Sequence, residues 1–223
     1  MEMKARSIPE LADFLWLYAK KRDGGRRTAS AFFITGTDTG VGKTFVTCAL
    51  IREFQRCGIS AIGFKPLCCG DREDSLKFWR LSKNRVALNL INPIHLPQPV
   101  APIAQRCPPW AVLIRRIQEA FSRLAISEIS VLLVEGAGGL LCPITRQHSM
   151  RDLARLLNLP LVIVTQDRLG VLNHSLLTQE AAEAVGLKTL AMVLTRFGKR
   201  KDFSQKRNQD VLSSLMTVPI YRV

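Results

Sequence analysis

From Ala31 onward the chain alternates short, continuous apolar runs with longer segments whose apolar positions recur every three or four residues. The runs 31-AFFIT-35, 60-SAIGFKP-66, 131-VLLVEGAGG-139, 161-LVIVTQ-166 and 189-TLAMVLTR-196 have the pattern of strands buried on both faces. Between them, 44-TFVTCALIREFQRCG-58 carries Val46, Leu50 and Phe54 at helical spacing and ends at Gly58. The segment 173-NHSLLTQEAAEAVG-186 predicts a helix from Asn173, an N-cap candidate, to Gly186 as C-cap. A last helix is expected over 202–216. The alternation predicts an α/β fold, a mostly parallel sheet with helices on both faces, and such sheets place ligands at the carboxyl ends of their strands.

The first thirty residues read differently. Ile8, Leu11, Leu15 and Tyr18 predict an amphipathic helix over 8–21, and 20-KKRDGGRRTAS-30 reads as a basic connector. The expected division is a helical and basic extension over 1–30 and a catalytic domain over 31–223. A helix that binds a partner or a surface is the alternative for the extension.

A chain of 223 residues with 47% apolar content has enough material for one sizeable core. Its formal charge of +14 raises nucleic acid, anionic membranes and anionic substrates as partners. Much of the excess sits near the two ends, and no recognition-helix, RNP or zinc-finger pattern accompanies it, so nucleic acid is not expected. No apolar run approaches the roughly 18–20 residues of a membrane span. The six cysteines form no CxxC pair and several lie in apolar runs, which fits reduced, buried thiols in a cytoplasmic protein.

The chemistry concentrates in 36-GTDTGVGKT-44, directly after the first apolar run. Glycines let the backbone turn tightly around a polyphosphate, successive N–H groups face it, and the following helix adds its positive end. Lys43 would reach the terminal phosphates and the Thr44 hydroxyl a Mg²⁺ ion. The usual phosphate loop has four residues between its first glycine and the Gly-Lys-[Ser/Thr] triplet, whereas here Thr37 to Val41 make five. Glu135, read as the end of an otherwise apolar strand and followed by Gly-Ala-Gly-Gly, calls for a cation, because a lone carboxylate there is costly. Asp74, in 70-GDREDSL-76, reads as a loop acid that either ligates metal or is merely exposed. Lys65 closes the second strand before Pro66, where it either points a second ammonium at the phosphates or lies on the surface.

Taken together, these segments resemble dethiobiotin synthetase. The family's expanded GTDTxVGKT loop is matched by 36-GTDTGVGKT-44, its Lys-Pro strand end by Lys65-Pro66, and its VEGAGG segment by 134-VEGAGG-139. Its Leu-Gly-x-[Leu/Ile]-Asn-His segment is matched by 169-LGVLNH-174. The stretches 152-DLARLLNLPLVIV-164 and 92-NPIHLPQPVAP-102 follow its order as well. The resemblance covers about 31–220. It implies a P-loop NTPase-like fold in a homodimer that uses ATP, Mg²⁺, CO₂ and 7,8-diaminononanoate in the penultimate step of biotin synthesis. It further implies that Gly40, Val41, Gly42, Lys43 and Thr44 hold the nucleotide phosphates, with Thr195 and Pro219 near the base. Thr44, Asp74 and Glu135 would hold the metal, and Lys43, Lys65 and Thr39 would act on the reacting groups. Lys65, Cys69, Gly138 and the helix start Gly170, Val171, Leu172 and Asn173 would bind substrate, the last four from the other subunit.

Three departures from the family pattern stand out. Cys69 replaces a frequent serine, Gly40 a frequent glutamate, and Thr195 the asparagine that reads adenine. A threonine cannot present the paired donor and acceptor of an amide, so base selectivity is expected to relax or to pass to backbone near 217-TVPIYR-222. The departures leave two other functions open: a nucleotide-binding homologue without catalysis, or a ligase or ATPase for another substrate.

Overall fold

The computed structural model describes residues 7–23, 29–83, 85–125, 128–197 and 203–223. In chain order the elements are α1 (Ile8–Asp23), β1 (Ser30–Gly36), α2 (Lys43–Arg56), β2 (Ala61–Phe64), β3 (Leu67–Cys69), α3 (Glu73–Leu81), α4 (Leu88–Ile91), β4 (Ile94–Leu96), α5 (Trp110–Ala125), β5 (Val131–Gly139), α6 (Met150–Leu156), β6 (Leu161–Gln166), α7 (Val171–Glu183), β7 (Thr189–Thr195), α8 (Asn208–Leu215) and β8 (Ile220–Arg222). Short 3-10 turns occupy Pro102–Ala104 and Phe203–Lys206.

Six strands form one parallel sheet in the order β2-β5-β1-β6-β7-β8, and β3 and β4 pair separately. The continuous apolar runs make its centre: Phe32 to Ile34, Val131 to Val134 and Leu161 to Val164 are all buried. Alternate residues along β6 and β7 serve different sides. Val162, Val164, Ala191 and Val193 join the larger core, while Ile163, Met192 and Leu194 pack with Val171, Leu212 and Met216 from α7, α8 and the residue beyond. This is the expected α/β architecture with a P-loop arrangement: β1 runs into the glycine loop, and α2 leaves it.

Helix α1 is part of the core. Leu11 and Leu15 have no exposed surface and Ala12 and Ala19 almost none. Phe14 packs against Tyr221 of β8 with ring centroids 6.4 Å apart, and Tyr18 against Phe32 of β1 at 6.3 Å. The helix continues to Asp23, into the stretch expected as a connector, and residues 24–28 of that stretch lie outside the described set.

Other differences have local causes. Helix α7 starts at Val171 with Gly170, not Asn173, as its N-cap. Gly170 has φ 90°, a left-handed conformation open to glycine. Asp74 is not in a loop but in the first turn of α3. Residue 202 lies outside the described set, and the rest of the expected last helix divides into the 3-10 turn and α8. Strands β3, β4 and β8 are three residues each, too short for periodicity to register. Helix α5 did carry a legible signal, since its buried Leu113, Ile114, Ile117, Ala120 and Leu124 follow helical spacing.

Truncating Leu15 to alanine should cost about 2–5 kcal/mol of folding free energy, read from the shift in urea midpoint. A change under about 0.5 kcal/mol, as for a surface residue, would show that α1 is only an appendage.

Candidate active site

The site forms where parallel register brings strand ends together. Phe64 pairs with Val134 and Ile34 with Glu135, so the residue after β2, Lys65, and the phosphate loop after β1 both adjoin Glu135. Glu135 is not at the end of its strand: β5 continues to Gly139, with a break in register to β1 between Ile34 and Gly36. Its carboxylate has no exposed surface. Oε1 accepts from Thr44 Oγ1 at 2.9 Å and from Lys65 Nζ at 2.6 Å, and Oε2 accepts from Thr47 Oγ1 at 2.8 Å. Lys65 Nζ also donates to Asp74 Oδ2 at 2.9 Å. A buried charge is tolerable only when paired and hydrogen-bonded, and each buried member here is.

The electrostatics follow from that arrangement. Burial by itself pulls the Lys65 pKa down, but Glu135 and Asp74 together outweigh it and hold it above the ordinary lysine range. Asp74, partly desolvated, is nevertheless held below the ordinary carboxylate range, first by the Lys65 charge and its hydrogen bond. Lys43 is lowered to about 8, chiefly by burial, with Lys65 adding to the fall and Glu135 opposing it. Its Nζ donates to the Asp38 carbonyl at 2.9 Å, folded back over the loop. An anionic ligand would relieve the cost that lowers it.

The loop conformation depends on Gly42, the N-cap of α2, at φ 95°. A side chain there would be strained, and its Cβ would lie within 2.6 Å of the Phe197 ring. Val41 is buried, so it offers a ligand only its backbone. Thr39 and Gly40 are exposed. Together with Gly42, Lys43, Thr44, Lys65, Cys69, Asp74 and Gly138 they line one cavity of about 600 Å³, which Pro99 to Pro102 line as well. The Cys69 thiol is pushed up to about 12 by burial and then by the neighbouring Cys68, Cys142 and Cys107, so it is a neutral contact.

Two expected placements change. Thr195 is fully buried and its hydroxyl donates to the Val41 carbonyl at 2.7 Å, so it braces the loop and does not face a base. Pro219 lies at the amino end of β8, where its carbonyl accepts from Met192 N. Because β8 runs parallel to β7, the phosphate-loop side of the sheet is reached by Arg222 and Val223 instead. Gly170, Val171, Leu172 and Asn173 are outside the cavity of this chain. The cysteines are all free, as expected, but Cys57 is exposed.

Sequence reading passed over several contributors. Thr47 sits one turn after Thr44 on the same helix and shares Glu135 with it. Asn92 is buried and donates from Nδ2 to the Lys65 carbonyl at 2.9 Å and the Ile94 carbonyl at 2.8 Å, which fixes the strand end that carries Lys65. Asp167, also buried, binds Arg196 Nε and Arg222 Nη2, each at 3.1 Å, and Asn208 Nδ2 at 2.8 Å, tying together the ends of β6, β7 and β8. The Thr47 spacing was a usable signal; the other two needed the fold.

The donor set fits a hard divalent ion. The Thr44 hydroxyl and the Glu135 and Asp74 carboxylates gather around one point, held at present by the Lys65 ammonium, and all are oxygen donors. Among the described residues no group of three His, Cys, Asp or Glu side chains could hold a metal. Magnesium suits such a sparse site because it takes few protein ligands and completes its shell with phosphates and water.

A phosphate loop between a buried strand and a helix, with two lysines and a carboxylate pair at the sheet's carboxyl end, defines a P-loop nucleotide-binding protein. Solved structures agree on the fold: the nucleotide-binding protein in complex with ADP from Archaeoglobus fulgidus superposes with TM-score 0.53 at 18% identity, over 92% of this chain and 84% of that one. A putative plasmid partition protein from Borrelia burgdorferi B31 bound to AMPPNP gives 0.53 at 11%, over 87% and 86%. A family model described as an AAA domain matches residues 30–221. The ATP-dependent dethiobiotin synthetase of Anaeromyxobacter dehalogenans strain 2CP-C is 40% identical over 82% of this chain and 84% of its own. Those of Akkermansia muciniphila and Thermodesulfovibrio yellowstonii are 34% and 35% identical, each over 85% of this chain and over 89% and 86% of their own. The chain belongs to the dethiobiotin synthetase family of ATP-dependent ligases.

Replacing Thr47 with valine removes a donor from Oε2 of a buried carboxylate and should cost about 1–3 kcal/mol of stability. Serine, which keeps the hydroxyl, should recover most of it; equal losses in chemical denaturation for both variants would point to packing instead.

Proposed function

We propose that this protein carboxylates and closes 7,8-diaminononanoate with CO₂ to dethiobiotin, driven by ATP and Mg²⁺, in the penultimate step of biotin synthesis. What carries the reading is that Lys43, Thr44, Lys65 and Asp74 line one cavity while the buried Glu135 accepts from Thr44 and Lys65 directly behind it. Its volume of about 600 Å³ suits small molecules. Family membership supports the substrate assignment, since the relatives are named for that product.

In this mechanism one amine of the diamine attacks CO₂, losing a proton and forming a carbamate. A carbamate oxygen attacks the γ-phosphorus, and the bond to the β-phosphate oxygen breaks to release ADP. The second amine attacks the carbonyl of the mixed anhydride, phosphate leaves, and the cyclic urea forms. Carbamate and triphosphate repel, so positioning and charge neutralisation supply most of the rate. Lys43 turns from the Asp38 carbonyl to the terminal phosphates. Lys65 exchanges its carboxylate partners for the carbamate. Thr44, Asp74 and Glu135 would hold Mg²⁺, which supplies charge neutralisation at the phosphates. Thr39, from inside the loop, contacts substrate or phosphate, and Cys69 and Gly138 line the substrate side.

The substrate carboxylate is assigned to the amino terminus of α7 from a second copy in a homodimer. Two features support this. Gly170 to Asn173 lie away from the chain's own cavity, and Leu169, Leu176 and Leu177 on and beside that helix are exposed, 78%, 37% and 56% respectively. The protein is assigned to the cytoplasm, in keeping with six free thiols; among the described residues no helix is long and apolar enough to cross a membrane. No nucleic-acid partner is assigned. Residues 1–30 are assigned no part in the chemistry; no described residue of α1 lines the cavity.

Incubation with diamine, bicarbonate, Mg²⁺ and ATP should yield cyclic urea and ADP in equal amounts. Nucleotide binding without diamine-dependent turnover would favour a non-catalytic homologue, and faster turnover of another amine a different ligase. Lys43→Ala should abolish turnover with an unchanged far-UV spectrum. Lys65→Ala should lower kcat by at least about 100-fold while changing ATP affinity far less, as for an interaction made at the reacting centre. Glu135→Gln should raise the Mg²⁺ concentration for half-maximal rate; an unchanged requirement would remove Glu135 from the metal.

A further inference from the structure

On the β7 side of the phosphate loop the cavity wall turns aromatic. Phe45, the residue after Thr44, and Phe197, two residues beyond β7, both line the cavity and meet edge to face with ring centroids 5.8 Å apart at 89°. Both are exposed, 53% and 44%, as Phe203 also is, whereas Phe32, Phe33, Phe54, Phe64 and Phe78 are buried almost completely. Phe197 lies directly over Gly42, so the ring rests on the phosphate loop itself. Two large apolar rings left open side by side in the wall of the cavity, next to the phosphate loop, mark a surface kept for a ligand.

The position suits a nucleobase. Lys65 and Glu135 lie on the β2-β5 side of β1, whereas Thr195 and Phe197 follow β7 on the other side. A triphosphate whose reacting end faces Lys65 therefore directs its nucleoside toward Phe45 and Phe197. No side chain there offers an edge-reading amide. The Thr195 hydroxyl is committed to the Val41 and Thr165 carbonyls, and no Asn or Gln occurs among the described residues lining the cavity.

We infer that Phe45 and Phe197 form a stacking platform that holds the base of the nucleotide by its π-face, so that this chain discriminates weakly among ATP, GTP, CTP and UTP. The inference rests on the nucleotide reading above. Every base has a π-face, so stacking tolerates any of them. A site that pairs with a particular hydrogen-bonding edge instead rejects an analogue lacking it by ~10⁴-fold or more.

The test is the affinity of the full chain, by calorimetry with Mg²⁺, for the four nucleoside triphosphates and for inorganic tripolyphosphate, which has no base. The four Kd values should fall within about fivefold of one another. Phe197→Ala should weaken all four by roughly tenfold, the scale of one base–aromatic stack. Tripolyphosphate binding should stay within about twofold, which also shows that the variant is folded. Phe45→Ala should give the same pattern, and Phe197→Trp should restore affinity. A preference for ATP above about 100-fold would overturn the platform, since hydrogen-bond readout alone reaches that scale. So would unchanged triphosphate affinities in both alanine variants, or an equal loss for tripolyphosphate. If the wild-type chain bound neither tripolyphosphate nor any nucleotide, the phosphate-loop reading would fall, and the platform with it.

Discussion

The arrangement depends on one buried carboxylate. Glu135 stands inside the central sheet without solvent, on a strand whose preceding four residues are apolar and buried. An uncompensated charge there would cost several kcal/mol. It is satisfied from three directions: Thr44 and Thr47 from α2, and Lys65 from the end of β2. Asp74, from the first turn of α3, is a second carboxylate partner of Lys65. Apart from Thr47, the residues that make the interior tolerable are the same residues assigned to the metal and the carbamate. Part of the site's precision is therefore enforced by folding energetics before any ligand arrives.

The parallel sheet makes this convergence possible. Because neighbouring strands run the same way, their carboxyl ends lie at one edge, and a residue just past β2 and one within β5 adjoin the loop after β1. The sheet also separates two tasks. On the β2-β5 side lie the lysine and carboxylates suited to the reacting end of a triphosphate. On the β6-β7-β8 side the loop is braced by Thr195 and overlaid by Phe197, and the strand ends are joined by Asp167 with its two arginines. Lys43, its pKa depressed by burial, lies in the same cavity.

Helix α1 contributes by a different route. It precedes the stretch matched by the family model, residues 30–221, yet it packs into the core. Strand β8 forms one edge of the sheet, and Phe14 lies against its Tyr221. The burial of Leu11 and Leu15 adds apolar contact to the same side of the molecule.

What the sequence determined by itself was whatever is written locally. Continuous apolar runs specified buried strands, 36-GTDTGVGKT-44 specified the loop, and the order of strand and helix specified a parallel sheet, because each follows from side-chain periodicity or backbone freedom within a few residues. Glu135 was legible as a candidate because a carboxylate on an apolar strand needs a partner, and Lys65 because it closes a strand at the carboxyl edge of the sheet. The tertiary structure alone decided which partners they have, since residues 70 apart meet only through strand register. It also decided that Thr195 faces inward, that Pro219 lies at the opposite end of its strand, that Asp74 rides on a helix, and that Phe45 and Phe197 face each other across the loop. Those outcomes depend on packing between distant segments, and residue type at a position does not record which way the finished core will let a side chain turn.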